Sequence, residues 1–524
     1  MQAPSKQDHY GIDNLRRSLG HFALGKGVGG IIGVFWLLLL VRALPAGDYG
    51  IYVGFVAYLE LFNVLSNLGL SPISERFVPE YRSRDDEPRL RALILKLVSL
   101  RVLVVCVLAS VMASLSNSLV PSLGFGMDPH VFVIFHVVVA ADSIARYVET
   151  IFASLMLQGR TQVSMFSRTG IRLLMVFAAW KLYPGDALDL EHLVRLEAWA
   201  SSAGLVITLY LLSRTQNGLA AAPKASLALL PLVAFAAPIY GAEVVGSLIG
   251  IDIVKLLVLK TTGAEASAIF GFCSLLAWYL MRYLPSFLLV GMVRPFMVAA
   301  ATDPAGRDRL QRIVSVILKL NAILIGCALA INLSVGDGLI AVLSGGKFAS
   351  GSSYLSMFLL VALSQTLRVP YNYIALARGQ GRAMLLGQVT GVLILALGVL
   401  ASNALGLYAY CVALVAIDLA AFKWVQRALI SCGQAPSLPW VGFVKITVLI
   451  AAGWATAMGL QYLFPAGWLI WQQVAVGSIA VVFMFAILGV VIRPFARDEL
   501  EAIGRLLPRL MIFRRFVGHN RSGF

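Results

Sequence analysis

The sequence predicts an all-α protein that crosses a membrane many times, and three observations support this fold class. The chain has 524 residues, of which 59% are hydrophobic. Charged residues make up only 13%, about half of the roughly 25% typical of soluble globular proteins. Apolar runs of roughly twenty residues, each long enough to cross a hydrocarbon core, recur from Ile31 to Val491. Together these observations exclude an ordinary soluble enzyme.

The apolar runs predict about fourteen transmembrane helices. In chain order the predicted spans are 18–43, 48–72, 92–117, 129–157, 160–182, 191–213, 228–259, 265–293, 310–333, 352–377, 382–402, 404–428, 441–463 and 468–492. Their connections are too short for a soluble catalytic domain, so we expect no enzymatic activity. No glycine-rich nucleotide-binding loop occurs, which disfavours direct use of ATP. Five cysteines without a Cys-x-x-Cys pair predict neither a disulfide nor a metal site, so we expect no cofactor.

The net charge of +16 reflects how basic residues are sorted across the membrane rather than a surface that binds nucleic acid. Lysines and arginines concentrate in every second connection and at both chain ends. The opposite connections hold Lys260 and Lys347, with Arg42 and Lys181 at span boundaries. Because short basic connections stay in the cytoplasm, we expect an even number of spans, two cytoplasmic termini and no nucleic-acid partner.

Comparison of the chain with itself predicts two related halves. A shift of 217 residues aligns Lys26 with Glu243 and Gly33 with Gly250. Because this shift covers an even number of spans, the halves would be parallel repeats, and transporters place substrate sites at the interface between such repeats. The predicted organisation is a cytoplasmic leader 1–17, an N-terminal six-helix lobe 18–213, a cytoplasmic linker 214–227, a C-terminal six-helix lobe 228–428, two additional helices 429–492 and a basic amphipathic cytoplasmic tail 493–524.

Four short motifs follow the glycine-rich first span. They are Arg42-Ala43-Leu44, Asp48-Tyr49-Gly50, Leu68-Gly69-Leu70 and Arg76-Phe77. In this order they resemble the opening of the bacterial polysaccharide flippases and exporters, which belong to the multidrug/oligosaccharidyl-lipid/polysaccharide exporter superfamily. The span number and the two-lobe organisation extend the resemblance over about residues 18–492. The second half carries no identifying motif of its own.

The resemblance implies a V-shaped, two-lobed helical transporter of the bacterial inner membrane. Its substrate would be an undecaprenyl-diphosphate-linked oligosaccharide repeat unit, moved from the cytoplasmic to the periplasmic leaflet during exopolysaccharide, capsule or O-antigen synthesis. The implied partners are this substrate, the lipid bilayer, a coupling H⁺ or Na⁺, and polysaccharide polymerase and export proteins. Neither the glycan nor the coupling ion is identified.

Such a substrate requires cations for the diphosphate and polar or aromatic groups for the sugar. An ionised side chain at the centre of a span costs about 2.5–3.5 kcal/mol, so it normally faces a cavity or a partner. The substrate-binding candidates on this basis are Lys26, Lys255, Tyr279 and Arg282. Each has a structural alternative: Lys26 can extend to the cytoplasmic headgroups, and the aromatic residues beside Arg282 can simply pack.

A face of one ionisable and two small residues recurs in the first and seventh spans. Lys26, Gly30 and Gly33 share one helical face, and Glu243, Ser247 and Gly250 repeat it. The functional hypothesis is that both faces line the cleft between lobes, with Glu243 pairing with Lys26 or titrating. The alternative is that the small residues only allow close helix packing.

Further ionisable residues are candidates for ion coupling or gating. Asp252 and Lys255 are three residues apart and can form either a gated or a static ion pair. Asp142, Arg146 and Glu149 share one face of the fourth span, as a self-satisfying network or as a proton relay. Weaker candidates, interpreted as single buried charges, are Glu60, Arg172, Lys319 and Asp418. Arg42 and Asp48 are expected to stabilise the turn after the first span.

Two other function classes are weighed against this hypothesis. A drug or cation antiporter of the same superfamily would favour an acidic and aromatic site, which the cations Lys26, Lys255 and Arg282 disfavour. A membrane-embedded polysaccharide polymerase or ligase would need a long periplasmic loop with reactive groups. The connections at 118–128 and 334–350 carry almost none.

Overall fold

The structure is a computed structural model, and it describes residues 12–84, 86–182, 188–218, 229–288, 307–433, 435–461, 467–496 and 499. The predicted leader, the linker and most of the basic tail lie largely outside these residues. The chain divides into two compact units, Met1–Ala268 and Ile269–Phe524. This division falls near the start of the eighth predicted span, 265–293, and the two six-helix lobes stay a prediction.

The first unit is built from long helices joined by short connections. Its helices are α1 (Ile12–Ala43), α2 (Ala46–Leu65), α3 (Leu70–Ser83), α4 (Glu87–Ser114), α5 (Ser116–Leu123), α6 (Pro129–Ser154), α7 (Gln158–Leu182), α8 (Leu190–Gln216), α9 (Leu229–Ser247) and α10 (Ile251–Thr262). Helix α6 is the most buried of the candidate spans and packs against α4, α7 and α8. Its apolar core includes Phe55 of α2 stacked on Phe135, with ring centroids 4.2 Å apart.

The second unit is also helical throughout its described part. Helix α11 (Ala264–Arg282) contains the point of division. It is followed by α12 (Pro285–Leu288), α13 (Arg307–Ser344), a short 3₁₀ turn (Ala349–Gly351), α14 (Ser352–Ala377), α15 (Gly381–Leu405), α16 (Leu407–Ser431), α17 (Trp440–Gln461) and α18 (Ile470–Ile492). Helices α14 and α16 meet through Tyr371 and Phe422, whose rings pack edge to face. Helices α13, α17 and α18 share a separate apolar cluster around Leu449 and Val481.

The predicted fold class is confirmed. Among the described residues, eight helices are long and apolar enough to cross a membrane, and α2 with α3 forms a ninth, bent candidate. Apolar stretches Gly27–Ala43 and Trp440–Thr456 are shorter. Many leucine and valine side chains stay exposed along the candidate spans, as expected where lipid replaces water around the helices. The number of about fourteen spans stays a prediction.

The second predicted span, 48–72, is not one continuous helix. Helix α2 ends at Leu65, and α3 leaves it at an angle of 57°. Leu68 and Gly69 both have positive φ values, 45° and 77°, a conformation that side-chain-bearing residues adopt at a cost. The Leu68-Gly69-Leu70 motif therefore forms the break between α2 and α3.

The seventh predicted span, 228–259, is interrupted as well. Helix α9 ends at Ser247, and Gly250 precedes α10 in an extended conformation with φ −74° and ψ 168°. The expectation that Glu243 and Gly250 share one helical face was therefore wrong, because the 100° rotation per residue does not continue through extended backbone. Helix α1 is continuous through Gly30 and Gly33, of which Gly30 is buried and Gly33 half-buried.

Candidate functional site

The first unit holds a network of ionised side chains inside its helix bundle. Arg146 of α6 contacts Glu60 of α2 at 2.7 Å and Asp142, one turn away on its own helix, at 2.5 Å. Arg168 of α7 binds Asp142 and lies 2.7 Å from Glu149. Asp142 and Arg168 are almost completely buried. These contacts tie α2, α6 and α7 together through charge.

The network continues from α7 to α8 and back to α2. Arg172 lies 3.5 Å from Glu197 of α8 and 4.0 Å from Asp142. The hydroxyl of Tyr52 donates a hydrogen bond of 2.7 Å to the Glu197 carboxylate, whose side chain is only 2% exposed. A buried carboxylate is held ionised only by close cations and donors, or it binds a proton.

The charges in this network do not balance. Among the described residues it contains four carboxylates, from Glu60, Asp142, Glu149 and Glu197, and three guanidinium groups, from Arg146, Arg168 and Arg172. One bound proton or one bound cation would neutralise the excess. The network therefore holds one carboxylate more than its guanidinium groups can neutralise.

The sequence predicted only part of this network. It placed Asp142, Arg146 and Glu149 together, but it missed Arg168 and Glu197 and interpreted Glu60 and Arg172 as single charges, which was wrong. Arg168 and Arg172 are one helical turn apart, and this spacing inside an apolar run was the available signal.

A second polar site surrounds the break between α2 and α3. The side-chain oxygen of Asn67 accepts hydrogen bonds from the backbone N–H and the hydroxyl of Ser71, at 3.1 and 2.9 Å, and so caps α3. The amide nitrogen of Asn67 donates to the Glu243 carboxylate at 3.4 Å, and the Tyr240 hydroxyl donates to the Leu65 carbonyl at 2.8 Å. Helix α9 is thereby joined to the polar groups that the break exposes.

Arg101 of α4 lies beside this break and is the cation that the sequence analysis missed. Its side chain is buried, and one terminal nitrogen, Nη2, donates to Asn63 and to the Ser143 carbonyl at 3.3 and 3.4 Å. The other two nitrogens, Nε and Nη1, have no hydrogen-bond partner among the described residues. Glu243 is one of its acidic electrostatic neighbours. An arginine inside the apolar run 92–117 was a sufficient sequence signal.

The remaining candidates of the first unit have simpler surroundings. The Lys255 ammonium lies 3.0 Å from Asp252, so the predicted pair forms, with Lys255 nearly buried. Glu243 is largely exposed on α9. The side chain of Lys26 lies outside the described part of the structure. Its predicted convergence with Glu243 and Arg282 stays a prediction.

Asp48 and Asp189 both accept hydrogen bonds from backbone N–H groups at the start of α8. The Asp48 carboxylate accepts a hydrogen bond of 3.1 Å from the backbone N–H of Leu190, while Arg42 is exposed at the end of α1. Asp189 accepts 2.7 Å bonds from the backbone N–H and the ring of His192. Although partial burial raises the pKa of Asp189, these hydrogen bonds lower it below its ordinary value overall.

In the second unit, Arg282 ends α11 beside aromatic rings. Its guanidinium carbon lies 5.5 Å from the centre of the Trp278 ring, and Tyr279 is a close electrostatic neighbour. A cation flanked by aromatic rings suits contact with a sugar phosphate.

Two ion pairs correct the interpretation of single charges in the second unit. Asp418 of α16 lies 3.1 Å from Arg368 of α14 and accepts a hydrogen bond from Ser364. Lys319 of α13 lies 2.7 Å from Glu499, which follows α18. Both of these carboxylates are buried, and each lies against a cation from another element of the unit. No cluster of three or more metal-ligating side chains occurs within the residues that the structure describes.

The fold is similar to that of several solved transporters. The lipid II flippase MurJ in an inward closed conformation matches with a TM-score of 0.65 at 12% identity, covering 93% of this chain and 99% of that chain. A multidrug resistance MATE family transporter of the MOP superfamily, in its inward-facing conformation, matches with a TM-score of 0.60 at 12% identity, covering 78% and 96%. A Vibrio cholerae MATE transporter, VcmN, matches with a TM-score of 0.55 at 13% identity, covering 80% and 98%.

Sequence comparison identifies the family. A search of curated proteins finds no match. The family model described as polysaccharide biosynthesis protein matches residues 15–301, a stretch that contains the four N-terminal motifs, the charged network and the α2–α3 break. Because this match covers more than half of the chain, the protein belongs to the polysaccharide biosynthesis protein family.

Proposed function

We propose that the protein moves an undecaprenyl-diphosphate-linked oligosaccharide repeat unit from the cytoplasmic to the periplasmic leaflet of a bacterial inner membrane. The observation that carries the proposal is Arg101, a buried cation with two unpartnered nitrogens beside a broken helix. Family membership links the protein to polysaccharide biosynthesis. Its fold is similar to that of a lipid II flippase. The product would serve exopolysaccharide, capsule or O-antigen synthesis, with a polymerase and export proteins downstream.

The chemistry of the substrate explains why buried cations are needed. Only the diphosphate and the sugars must cross the apolar layer, because the polyprenyl tail can remain in lipid. Nε and Nη1 of Arg101 are buried and lack a hydrogen-bond partner among the described residues. In the proposed cycle they form charge-assisted hydrogen bonds to a phosphate oxygen when the surrounding helices separate. Lys26, Lys255, Tyr279 and Arg282 are the further substrate contacts that we propose.

Glu243 acts as the gate in this proposal. It is an electrostatic neighbour of Arg101 and accepts a hydrogen bond from Asn67, at the break between α2 and α3. In the empty protein its carboxylate offsets the Arg101 charge. An entering diphosphate competes for the same cation and displaces Glu243, which can then bind a proton or pair with Lys26. The Asp252–Lys255 pair is a second element that can open in the same cycle.

Ion coupling would return the protein to its starting state. An inside-negative potential assists outward movement of the diphosphate by about 2.3 kcal/mol per charge per 100 mV. The same potential opposes the return of an empty cationic site, so inward flow of H⁺ or Na⁺ would drive the reset. The network around Asp142, Arg146 and Glu149, with its excess carboxylate, is the proposed coupling site.

The proposed transport cycle is alternating access by two six-helix lobes, 18–213 and 228–428, without covalent catalysis. The sorted basic residues favour cytoplasmic placement of both termini, of the linker 214–227 and of the tail 493–524. Helices 429–492 are additional to the two lobes. The lipid bilayer surrounds the protein and also holds the polyprenyl tail of the substrate during transport.

The test is transport in vesicles that contain only this protein and a fluorescent undecaprenyl-diphosphate oligosaccharide. Arg101→Gln should slow its crossing at least about tenfold, equivalent to about 1.4 kcal/mol. Arg195→Gln, which changes an exposed arginine of α8, should have no effect. Thermal unfolding of each variant reports on folding. Wild-type crossing by a folded Arg101→Gln variant would contradict the proposal.

The alternative function is export of an organic cation, as the shared MATE fold allows. The same vesicles can be given a proton gradient and a fluorescent organic cation. Uptake of this cation without movement of the lipid-linked sugar would favour the antiporter. Elongation of the oligosaccharide would instead identify a polymerase.

A further inference from the structure

Helix α13 changes direction near one of its ends, and a cavity opens there within the second unit. Val335 leaves the helical conformation, with φ −125° and ψ 19°. The Ser334 hydroxyl bonds the carbonyls of Ala330 and Ile331 at 2.8 and 3.0 Å, an arrangement that bends helices. The cavity, bounded by α13, α14 and α18, has a volume of about 390 Å³.

The cavity is lined by neutral polar groups, one carboxylate and the apolar side chains of Leu333, Val335, Ile470 and Val474. The lining side chains that matter here are Asn332, Asp337, Ser352, Ser353, Ser356 and Gln473. Neither lysine nor arginine occurs among the described residues that line it. Hydroxyl and amide groups around a single acid are a typical lining for a ligand that both donates and accepts hydrogen bonds.

Asn332 is a buried side chain of the cavity wall that is held in place by hydrogen bonds. It is 4% exposed, and its amide nitrogen donates to the Ser352 carbonyl and the Ser356 hydroxyl at 2.7 and 2.8 Å. The same side chain has an amide oxygen, Oδ1, without a hydrogen-bond partner among the described residues. A buried acceptor without a donor is unfavourable. Oδ1 lies beneath the cavity surface against Gly336, so a ligand hydroxyl would donate to it after a small shift of α13 at its bend.

Size and charge restrict the ligand. A volume of about 390 Å³ lies within the roughly 300–1,000 Å³ of small-molecule sites and exceeds what one cation requires. The Asp337 side chain, which accepts a hydrogen bond from Ser352, is open to solvent and repels anions. A phosphate or a uronic acid is therefore disfavoured, whereas a neutral or amino hexopyranose matches the donors and acceptors.

We propose that this cavity binds one or two neutral or amino sugar residues of the transported glycan. The inference rests on the proposed function for the biological source of the sugar. In the orientation proposed above, α13 ends and α14 and α18 begin at the periplasmic side. The cavity would thus hold the sugar head as it arrives at that side.

The first experiment measures sugar binding by the full-length protein in lipid nanodiscs, with ligand-observed NMR. The probes are methyl glucoside, methyl N-acetylglucosaminide and glucuronate. We expect the two neutral probes to bind and glucuronate not to bind. Gln473→Leu should weaken the neutral probes about tenfold. Gln472→Glu is the control: this side chain is outside the lining, and a carboxylate can still accept the Leu469 N–H bond that caps α18, so the neutral probes should bind unchanged. Thermal unfolding is monitored for both variants.

A second variant tests the charge argument directly. Asp337→Asn removes the carboxylate but keeps the shape of the side chain, so glucuronate should then bind. No sugar binding up to about 50 mM by the folded protein would overturn the proposal, as would equal loss in both glutamine variants. Stabilisation by Na⁺ alone, without any sugar effect, would identify a cation site instead.

Transport of the lipid-linked oligosaccharide by the same samples separates this inference from the proposed function. Sugar binding without transport would contradict the proposed function and leave the cavity assignment standing. Transport without sugar binding would contradict the cavity assignment alone.

Discussion

Arg168 is a single buried side chain that both forms ion pairs and packs between helices in the first unit. Its guanidinium binds Asp142 and Glu149 together and is 7% exposed. The side chain also packs directly over Gly204 of α8, where there is no room for a Cβ atom. Charge neutralisation and helix packing therefore depend on the same residue.

Replacing this residue should be strongly destabilising. Arg168→Leu leaves two buried carboxylates short of a cation, and we expect a loss of about 3–5 kcal/mol in unfolding free energy. Arg195→Leu is the matched control, because its pair with Glu191 is exposed and such pairs contribute about 0–1 kcal/mol. Thermal and chemical unfolding of both proteins in detergent measures the difference. Equal stability of the two variants would refute a structural role for the network.

The spacing of residues within one helix was enough to predict some contacts at this scale. Asp142 and Arg146 are one turn apart, and Asp252 and Lys255 three residues apart, so each pair could be predicted without knowing the fold. Arg168 could not be assigned to Asp142, since that contact depends on how α7 is rotated against α6.

At the scale of elements, the break between α2 and α3 depends on Gly69. Its φ of 77° is unfavourable for any residue with a Cβ atom. A Cβ atom built at this position would also lie 2.9 Å from that of Ala236 in α9. Backbone conformation and close packing thus both require glycine here.

Gly69→Ala should therefore lower stability by about 1–2 kcal/mol from backbone strain alone, and the contact with Ala236 adds to this loss. Gly126→Ala is the control, because a Cβ atom there meets nothing within 4 Å. The midpoint of thermal unfolding is the measurement. A Gly69→Ala protein as stable as the Gly126→Ala protein would show that the break is not fixed by this residue.

The interruptions of helices were the least predictable elements. Hydropathy stays high through residues 48–72, 228–259 and 310–344 because every one of these stretches is apolar. Hydropathy does not report backbone direction. The break at Gly69 packs against Ala236 of α9, and the bend at Val335 packs against Gly477 of α18. A linear pattern does not contain such contacts.

At the scale of the whole molecule, the distribution of charge predicts the orientation. The proposed arrangement places the connection after α16 in the cytoplasm and the connection before α6 in the periplasm. Cys432 is exposed in the first of these connections, and Gly126 lies exposed in the second. The two positions report on opposite sides of the membrane.

Labelling of intact cells with a membrane-impermeant maleimide tests this orientation. A variant that retains Cys432 as its only cysteine should stay unlabelled until the cells are opened. A variant that carries Gly126→Cys as its only cysteine should be labelled in intact cells. The reverse pattern would invert the orientation, and with it the sides assigned to substrate entry and release.

The sequence by itself determined that the chain is an all-α membrane protein of a polysaccharide biosynthesis family. The length of apolar runs and the local motifs are properties of contiguous residues, so they can be recognised without knowing the tertiary contacts. The tertiary structure decided where helices break and which charges neutralise one another. Arg101, Arg168 and Glu197 acquire their surroundings only when separate helices pack, because burial and pairing depend on helix rotation and depth, which sequence distance does not encode.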